Sequence, residues 1–81
     1  MRDWLYELRN SKGMTLKQMG EKLGISESYY QQVEQGKRQK NMDIALITRI
    51  ASATGKREKV IVDMELAYRR LQEERTTAKD P

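Results

Sequence analysis

The sequence has 81 residues and a net charge of +4, with 16 Lys or Arg, 12 Asp or Glu, and neither His nor Cys. A chain of this length makes one small domain. Without Cys there is no disulfide bond and no thiol nucleophile, and without His there is no His-dependent catalytic triad. A zinc site would have only carboxylates as ligands. Because no apolar run approaches the roughly 20 residues that span a bilayer and the N-terminus lacks a signal-peptide core, we expect a soluble, cytoplasmic, non-enzymatic protein without a metal or another cofactor.

Apolar residues recur at helical spacing along the chain, whereas the β-branched residues are too scattered to mark strands. The first helix is predicted from residue 4 to between residues 10 and 13, and four more follow over residues 16–22, 26–35, 44–54 and from residue 60 onward. Ile44, Ile47 and Ile50 mark the apolar side of the fourth helix. We therefore expect an all-α fold, a compact bundle of about five helices.

The expected helix boundaries carry residue types that cap helices. Thr15, with Gln18 three residues later, makes a capping box before the second helix, and Ser26 and Asp43 are N-cap residues for the third and fourth helices. Glycines stand where helices should stop, a position that favours the left-handed conformation: Gly13, Gly24, Gly36 and Gly55.

The second and third helices form a recognisable unit. A short helix, a turn containing Gly24 and a second short helix make the helix-turn-helix arrangement. Gly20 lies on the inner side of the second helix, and its missing Cβ lets the third helix cross closely. Two helices this short cannot bury their apolar faces alone, so the first and fourth helices must close the core around them.

The third helix has one apolar side and one polar side. Tyr30 and Val33 share the apolar side with Ile25, so we expect Tyr30 in the core. Gln pairs with adenine through two hydrogen bonds, Ser donates or accepts, and Glu accepts from cytosine, so the polar side suits base edges in a major groove. An ordinary solvated helix face is the alternative, and it predicts more Lys and Glu. The polar side consists of Glu27, Ser28, Gln31 and Gln32, with Tyr29 at its edge as a contact to a thymine methyl or a phosphate.

Phosphate contacts are expected from two other places. The N-terminus of the second helix presents free N–H groups and a partial positive charge, with Thr15, Lys17 and Gln18 beside it. Residues 37–40 carry three cations and no acid, whereas the charges of residues 1–36 are balanced. A local cationic segment after the third helix suits an anionic polymer, although a solvated basic loop has the same composition. The candidates in this segment are Lys37, Arg38, Lys40 and Asn41.

The fifth helix carries more apolar surface than one docking face needs. Positions 60, 61, 64, 67, 68 and 71 form one stripe, about 120° wide, that we expect to face the core of the domain. Val62 and Leu66 lie on a separate arc that suits a partner chain, and positions 60, 64, 67 and 71 also follow heptad spacing. An ordinary amphipathic helix without a partner is the alternative. The candidate dimer residues are Val62, Met64, Leu66 and Leu71.

The stretch from Gly13 to Arg38 resembles the Cro/cI-type, Xre-like helix-turn-helix regulators of bacteria and their phages and mobile elements. The turn at residues 24–26 and the corner at residues 34–38 are its most specific parts, and the resemblance extends over residues 4–55. It implies a lambda-repressor-like domain that binds double-stranded DNA, usually as a dimer. Leu16 stands where the family often has Gln, which removes one phosphate contact. The base-reading positions that the resemblance implies are Ser26, Glu27, Ser28 and Gln32.

These observations lead to one functional hypothesis and one alternative. The hypothesis is a sequence-specific regulator of transcription, associated with the bacterial nucleoid and acting as a dimeric repressor or through contact with RNA polymerase. Residues 1–55 would be the DNA-binding domain, residues 56–75 a C-terminal helix for docking and dimerisation, and residues 76–81 a flexible tail. The alternative is an antitoxin or adaptor that binds a partner protein through the C-terminal helix. A membrane-surface role is not expected, because residues 60–81 are net acidic.

Overall fold

A computed structural model describes the backbone of residues 1–79 and the side chains of residues 1–74. Within this range the chain forms five α-helices and no strand, which confirms the predicted all-α fold. The last helix continues through Lys79, over the first four residues of the expected tail, and residues 80 and 81 lie outside the described residues. The helices are α1 (Asp3–Ser11), α2 (Leu16–Leu23), α3 (Glu27–Glu34), α4 (Ile44–Thr54) and α5 (Glu58–Lys79).

The three predicted N-caps are confirmed. Thr15 Oγ1 accepts the Gln18 backbone N–H at 3.1 Å, and Gln18 Oε1 accepts the Thr15 N–H at 2.9 Å, which completes the capping box of α2. Ser26 Oγ accepts the Tyr29 N–H at 3.0 Å at the start of α3, and Asp43 Oδ1 accepts the Leu46 N–H at 2.7 Å at the start of α4. Each cap satisfies a donor that the first helical turn leaves without an intrahelical partner.

The turn between α2 and α3 depends on two glycines. Gly24 ends α2 with a φ of 71°, in the left-handed region that favours glycine. A Cβ on Gly20 would lie 3.0 Å from the Ile25 carbonyl oxygen and 3.3 Å from that of Ser26. The predicted close approach at Gly20 is therefore confirmed, and the backbone that it meets is the turn that leads into α3.

One apolar core joins all five helices. α2 packs against α3 and α4, α4 packs against α5, and α1 packs against both α3 and α5. Tyr30 is fully buried, as expected. The buried apolar side chains are Leu5, Leu8, Met19, Leu23, Tyr30, Val33, Met42, Leu46, Ile50, Ala51 and Ile61.

Two expectations about apolar faces are wrong. Ile44 is 79% exposed, because α4 docks through the side that carries Leu46 and Ile50 and leaves Ile44 outside it. On α5 the deeply buried residues are Ile61 and Glu65, whereas Val60 and Leu71 are 38% and 55% exposed. The docked face of α5 is thus rotated toward Glu65, and one flank of the expected core stripe faces solvent.

Two buried ion pairs lie beside the apolar core. The guanidinium of Arg2, which is fully buried, meets the Glu65 carboxylate at 2.8 Å, and Arg9 meets Glu34 at 2.9 Å. The hydrogen-bonded Glu34 carboxylate raises the pKa of Arg9. Both pairs connect α3 or α5 to the N-terminal region of the chain.

Candidate nucleic-acid interface

Helix α3 presents most of the residues predicted to read bases. Its buried side carries Tyr30, Val33 and Glu34, which hold the helix on the core. Burial raises the pKa of the Tyr30 phenol, and the nearby Glu34 carboxylate raises it further. The other side begins at the exposed Ser26 cap and continues over the exposed Glu27, Ser28 and Gln31, with Gln32 half-buried.

The half-buried Gln32 is engaged with the cationic segment. Arg38 Nε donates to Gln32 Oε1 at 2.8 Å, and the Arg38 guanidinium lies over the Tyr29 ring at 5.8 Å from its centre. Gln39 Nε2 donates to the Tyr29 hydroxyl at 2.9 Å, while its Oε1 accepts the Asp43 N–H at 3.1 Å. The segment after α3 therefore folds back onto the polar edge of that helix.

Hydrogen bonds to Gln32 and to the buried Arg2 guanidinium hold the backbone of the same segment. The Lys37 and Arg38 N–H groups donate to the Gln32 carbonyl oxygen at 2.9 and 3.3 Å. Arg2 Nη1 donates to the carbonyl oxygens of Val33 and Arg38 at 2.6 and 3.0 Å, and its Nη2 donates to that of Gln39. A buried guanidinium thus fixes the path of the cationic segment.

The charged and polar side chains of this segment stay accessible to solvent on the fixed backbone. Lys37, Arg38, Lys40 and Asn41 are all exposed. Gln39 has a φ of 58°, an uncommon value for a residue with a side chain. The turn is therefore anchored and carries exposed cations. Arg38 lies against the polar side of α3, whereas Lys40 and Asn41 line a pocket with Arg2 and with Tyr68 of α5.

The N-terminus of α2 supplies the second group of predicted phosphate contacts. Thr15, Lys17 and Gln18 are exposed there. The Thr15 hydroxyl oxygen and the Gln18 amide oxygen cap each other's backbone, which leaves the Gln18 amide N–H group and the Lys17 ammonium as donors. The N–H groups of the first turn add a partial positive charge.

Two side chains near this surface were missed by sequence reasoning. Arg49 projects from α4, donates to the Leu23 carbonyl oxygen at 3.3 Å, and is otherwise exposed. With Ser26, Tyr29 and Gln39 it lines a shallow groove of about 350 Å³. Arg49 is a single cation on an apolar helix, and nothing in the neighbouring sequence indicates what it contacts. Gln39 is an uncharged residue between Arg38 and Lys40, and the charge pattern that predicts phosphate contacts does not include it.

The candidate dimer residues divide between two flanks of α5. At 100° per residue, Met64 and Leu71 fall on one flank, whereas Val62 and Leu66 fall on the other. Leu66 and Leu71 are 40% and 55% exposed, and Val62 and Met64 are half-buried. Among the described residues, no group of acidic side chains could hold a metal ion, and no helix is long and apolar enough to cross a membrane.

Comparison with known proteins agrees with this geometry. A protein-family model described as Helix-turn-helix matches residues 5–61, more than two thirds of the chain, from α1 into the start of α5. No curated protein and no solved structure matches the chain. The family consists of DNA-binding regulators and not of enzymes. The chain belongs to this family, the Xre-like helix-turn-helix regulators of the Cro and cI type, and its partner is DNA.

Proposed function

We propose that this DNA-binding regulator recognises a specific operator by inserting α3 into the major groove. The observation that carries the proposal is the exposed polar side of α3, bordered by cations on an anchored turn. Base edges need hydrogen-bonding side chains of little net charge, and phosphates need cations, so this juxtaposition matches what a duplex presents.

Ser26, Glu27 and Ser28 would read bases from the first turn of α3, and Gln32 from the next turn. Tyr29 and Gln31 would flank them as further contacts to DNA. Gln32 must exchange its hydrogen bond with Arg38 for a base, since bidentate reading of adenine uses both its amide oxygen and its N–H group. That exchange would release the Arg38 guanidinium to a phosphate.

Phosphate contacts would hold the duplex on both sides of α3. Thr15, Lys17 and Gln18 would act from the N-terminus of α2, and Lys37, Arg38, Lys40 and Asn41 from the anchored turn. Contacts of this kind set the register of the protein on the duplex and carry little sequence information. Their number sets how steeply the affinity falls with salt.

The regulator would act as a homodimer on a palindromic operator. Two α3 helices then read half-sites about 34 Å apart, one turn of duplex. A dimer bound to the operator would repress transcription by blocking RNA polymerase, or would contact the polymerase from beside the promoter. Binding in the cytoplasm to the nucleoid follows from this role.

Selection of sites from random duplexes tests the proposal. Gln32→Ala should cost about 1–3 kcal/mol on the selected site and relax one base position, because one bidentate contact is lost. Gln35→Ala is a matched control, since Gln35 is an exposed Gln at the C-cap of α3 outside the base-reading set. A Gln32→Ala protein that selects the same site with unchanged preference would contradict the base-reading role.

A salt titration separates phosphate contacts from base contacts. Lys37→Ala should weaken all sequences alike and reduce the salt slope by about one. Lys56→Ala serves as the control, because Lys56 follows the C-terminal end of α4, about 16 Å along the helix from the anchored turn. Equal salt slopes for Lys37→Ala and Lys56→Ala would remove Lys37 from the interface.

A second candidate function uses the same scaffold. An antitoxin or adaptor would bind a partner protein through α5, and the exposed Leu66 beside the half-buried Val62 favours this candidate. Copurification distinguishes the two functions. A stoichiometric partner other than the protein itself, together with no duplex retained at physiological salt, would favour the antitoxin or adaptor.

A further inference from the structure

The solvent-facing flank of α5 carries an apolar row at heptad spacing. Its members are Val60, Met64, Ala67 and Leu71, which we call the α5 seam. We propose that the α5 seam joins two copies of this chain, with the two α5 helices running antiparallel. This inference deepens the proposed function, because it rests on the dimer invoked there and specifies the dimer's interface.

The seam is accessible because α5 docks through a different face. Ile61 and Glu65 are buried against the domain, and the centre of the seam lies about 110° around the helix from them. Val60, Ala67 and Leu71 are exposed, while Met64 is partly covered by the core. Trp4 and Tyr68 border the seam. An apolar groove of about 230 Å³ that suits a partner's side chain is lined by Trp4, Met64, Ala67, Tyr68 and Leu71, with Asp3 at its edge.

An antiparallel pairing fits the sizes of the seam residues. In the register that centres the seam on itself, Val60 faces the partner's Leu71 and Met64 faces the partner's Ala67. Each layer then joins a larger and a smaller side chain, as close packing between helices requires. A parallel pairing would place Ala67 against the partner's Ala67 and leave a gap at the centre.

The charges beside the seam favour the same orientation. Asp63 and Arg70 are exposed and border the seam on its outer side. The antiparallel register brings Asp63 to the partner's Arg70 and Arg70 to the partner's Asp63, so two opposite-charge pairs close over the seam. Lys59 already pairs with Asp63 Oδ2 at 3.0 Å. The other carboxylate oxygen of Asp63 would accept from the partner's Arg70. In a parallel pairing Asp63 would instead face the partner's Tyr68.

The seam is short, so the free protein should associate weakly. Residues 60–71 span about 16 Å of helix, which makes an interface smaller than a standard stable one. An operator with two half-sites would supply the remaining affinity by holding both copies at a high effective concentration. We expect a reversible monomer–dimer equilibrium that DNA shifts toward the dimer.

Sedimentation of the full chain without DNA tests the seam. Leu71→Glu should weaken association at least roughly tenfold, because it places a carboxylate in two apolar layers. Leu66→Glu is the matched control on the opposite flank of α5 and should leave association unchanged. If Leu66→Glu weakens association and Leu71→Glu does not, or if the wild type stays monomeric throughout, the proposal is overturned.

Charge reversal tests the orientation. Asp63→Arg and Arg70→Asp, each alone, should weaken association roughly fivefold, since each turns two attractive pairs into repulsive ones. An equimolar mixture of these two variants restores opposite charges in both pairs, so the mixture should associate at least as well as the wild type. A mixture no stronger than either variant would overturn the antiparallel register. Far-UV circular dichroism and melting curves confirm that both variants fold.

DNA measurements keep this inference separate from the proposed function. Each seam variant should bind a duplex with one half-site as the wild type does, but should lose affinity for the full palindrome. Gln32→Ala should lose affinity for both duplexes and still dimerise. Seam variants with normal affinity for the full palindrome would overturn the seam and leave base reading by α3 intact.

Discussion

Replacing Arg2 by Met should destabilise the domain by about 3–5 kcal/mol, the usual cost of leaving one half of a buried ion pair unpaired. All five N–H donors of the guanidinium are used in the structure. Two reach the Glu65 carboxylate at 2.8 and 2.9 Å, and three reach the carbonyl oxygens of Val33, Arg38 and Gln39. Met keeps much of the length of the side chain and removes every donor, so the variant isolates the polar contribution.

The magnitude is large compared with what holds the domain together. At about 0.05–0.15 kcal/mol per residue, a chain of this length is stable by about 4–12 kcal/mol. After the substitution the Glu65 carboxylate keeps only the Trp4 indole N–H, at 3.3 Å, as a donor among the described residues. Glu65→Gln should cost less than Arg2→Met, because the guanidinium keeps three carbonyl oxygens and gains an amide oxygen.

Urea unfolding followed by two signals measures these costs. Circular dichroism reports the helices, and fluorescence of Trp4, the single Trp of the chain, reports the ion pair directly. The double variant Arg2→Met with Glu65→Met should recover at least about 1 kcal/mol relative to Arg2→Met alone, since no buried charge remains. It should not reach the wild type, because three carbonyl oxygens have still lost their donor.

The control and the DNA readout complete the test. Arg57→Met, at an exposed position before α5, should change stability by less than about 0.5 kcal/mol. Where Arg2→Met is still folded, it should bind all DNA sequences more weakly without a change in preference, since the anchored turn has lost its support. If Arg2→Met costs no more than Arg57→Met, the reasoning about the buried guanidinium is wrong.

Three further predictions concern stability. Tyr30→Phe should be neutral or stabilising by up to about 1 kcal/mol, because the buried Tyr30 hydroxyl has no hydrogen-bond partner among the described residues. Burial also holds the pKa of Tyr30 above its ordinary value of 10.0 in the folded state, so above pH 10 only the unfolded chain loses this proton. We therefore expect the free energy of unfolding of the wild type to fall more steeply with pH than that of Tyr30→Phe, by up to about 1.4 kcal/mol per pH unit. Urea unfolding of both proteins between pH 8 and 11 measures the difference, and parallel curves would contradict it. Gly20→Ala should destabilise the domain by about 1–3 kcal/mol in the same assay, because its Cβ would meet the Ile25 carbonyl oxygen at 3.0 Å. Helix propensity alone predicts a gain of about 1 kcal/mol, and such a gain would refute the close approach.

Helix boundaries could be predicted because their causes are local. The Thr15 cap needs only Gln18, three residues away, and the stop of α2 needs only a residue that tolerates a positive φ, which Gly24 does. The polar side of α3 could be predicted for the same reason, since Ser26, Glu27 and Ser28 lie within one helical turn. Such patterns are complete within a few residues of sequence.

The contacts that shape the site are not local, and sequence reasoning missed them. Arg2 and Glu65 are 63 residues apart, and nothing in either neighbourhood marks them as partners. Charged residues are usually exposed, and the core stripe expected on α5 did not include Glu65, so the docked face of α5 was misplaced. The bond from Arg38 to Gln32 joins residues on either side of a turn, where helical spacing predicts no contact.

The Arg2 guanidinium also connects the two halves of the proposed mechanism. It binds Glu65 on α5 and the carbonyl oxygens of the turn that follows α3, and the Tyr68 hydroxyl of α5 packs against Gly36 in that turn. A dimer seam on α5 would therefore be tied to the DNA-reading helix by direct contacts and not by a flexible linker. The distance between two α3 helices then depends on the register of the seam, and a duplex accepts only half-sites one turn apart. A change at the seam should accordingly alter the preferred half-site spacing as well as affinity, whereas a change on α3 should alter only the sequence that is read.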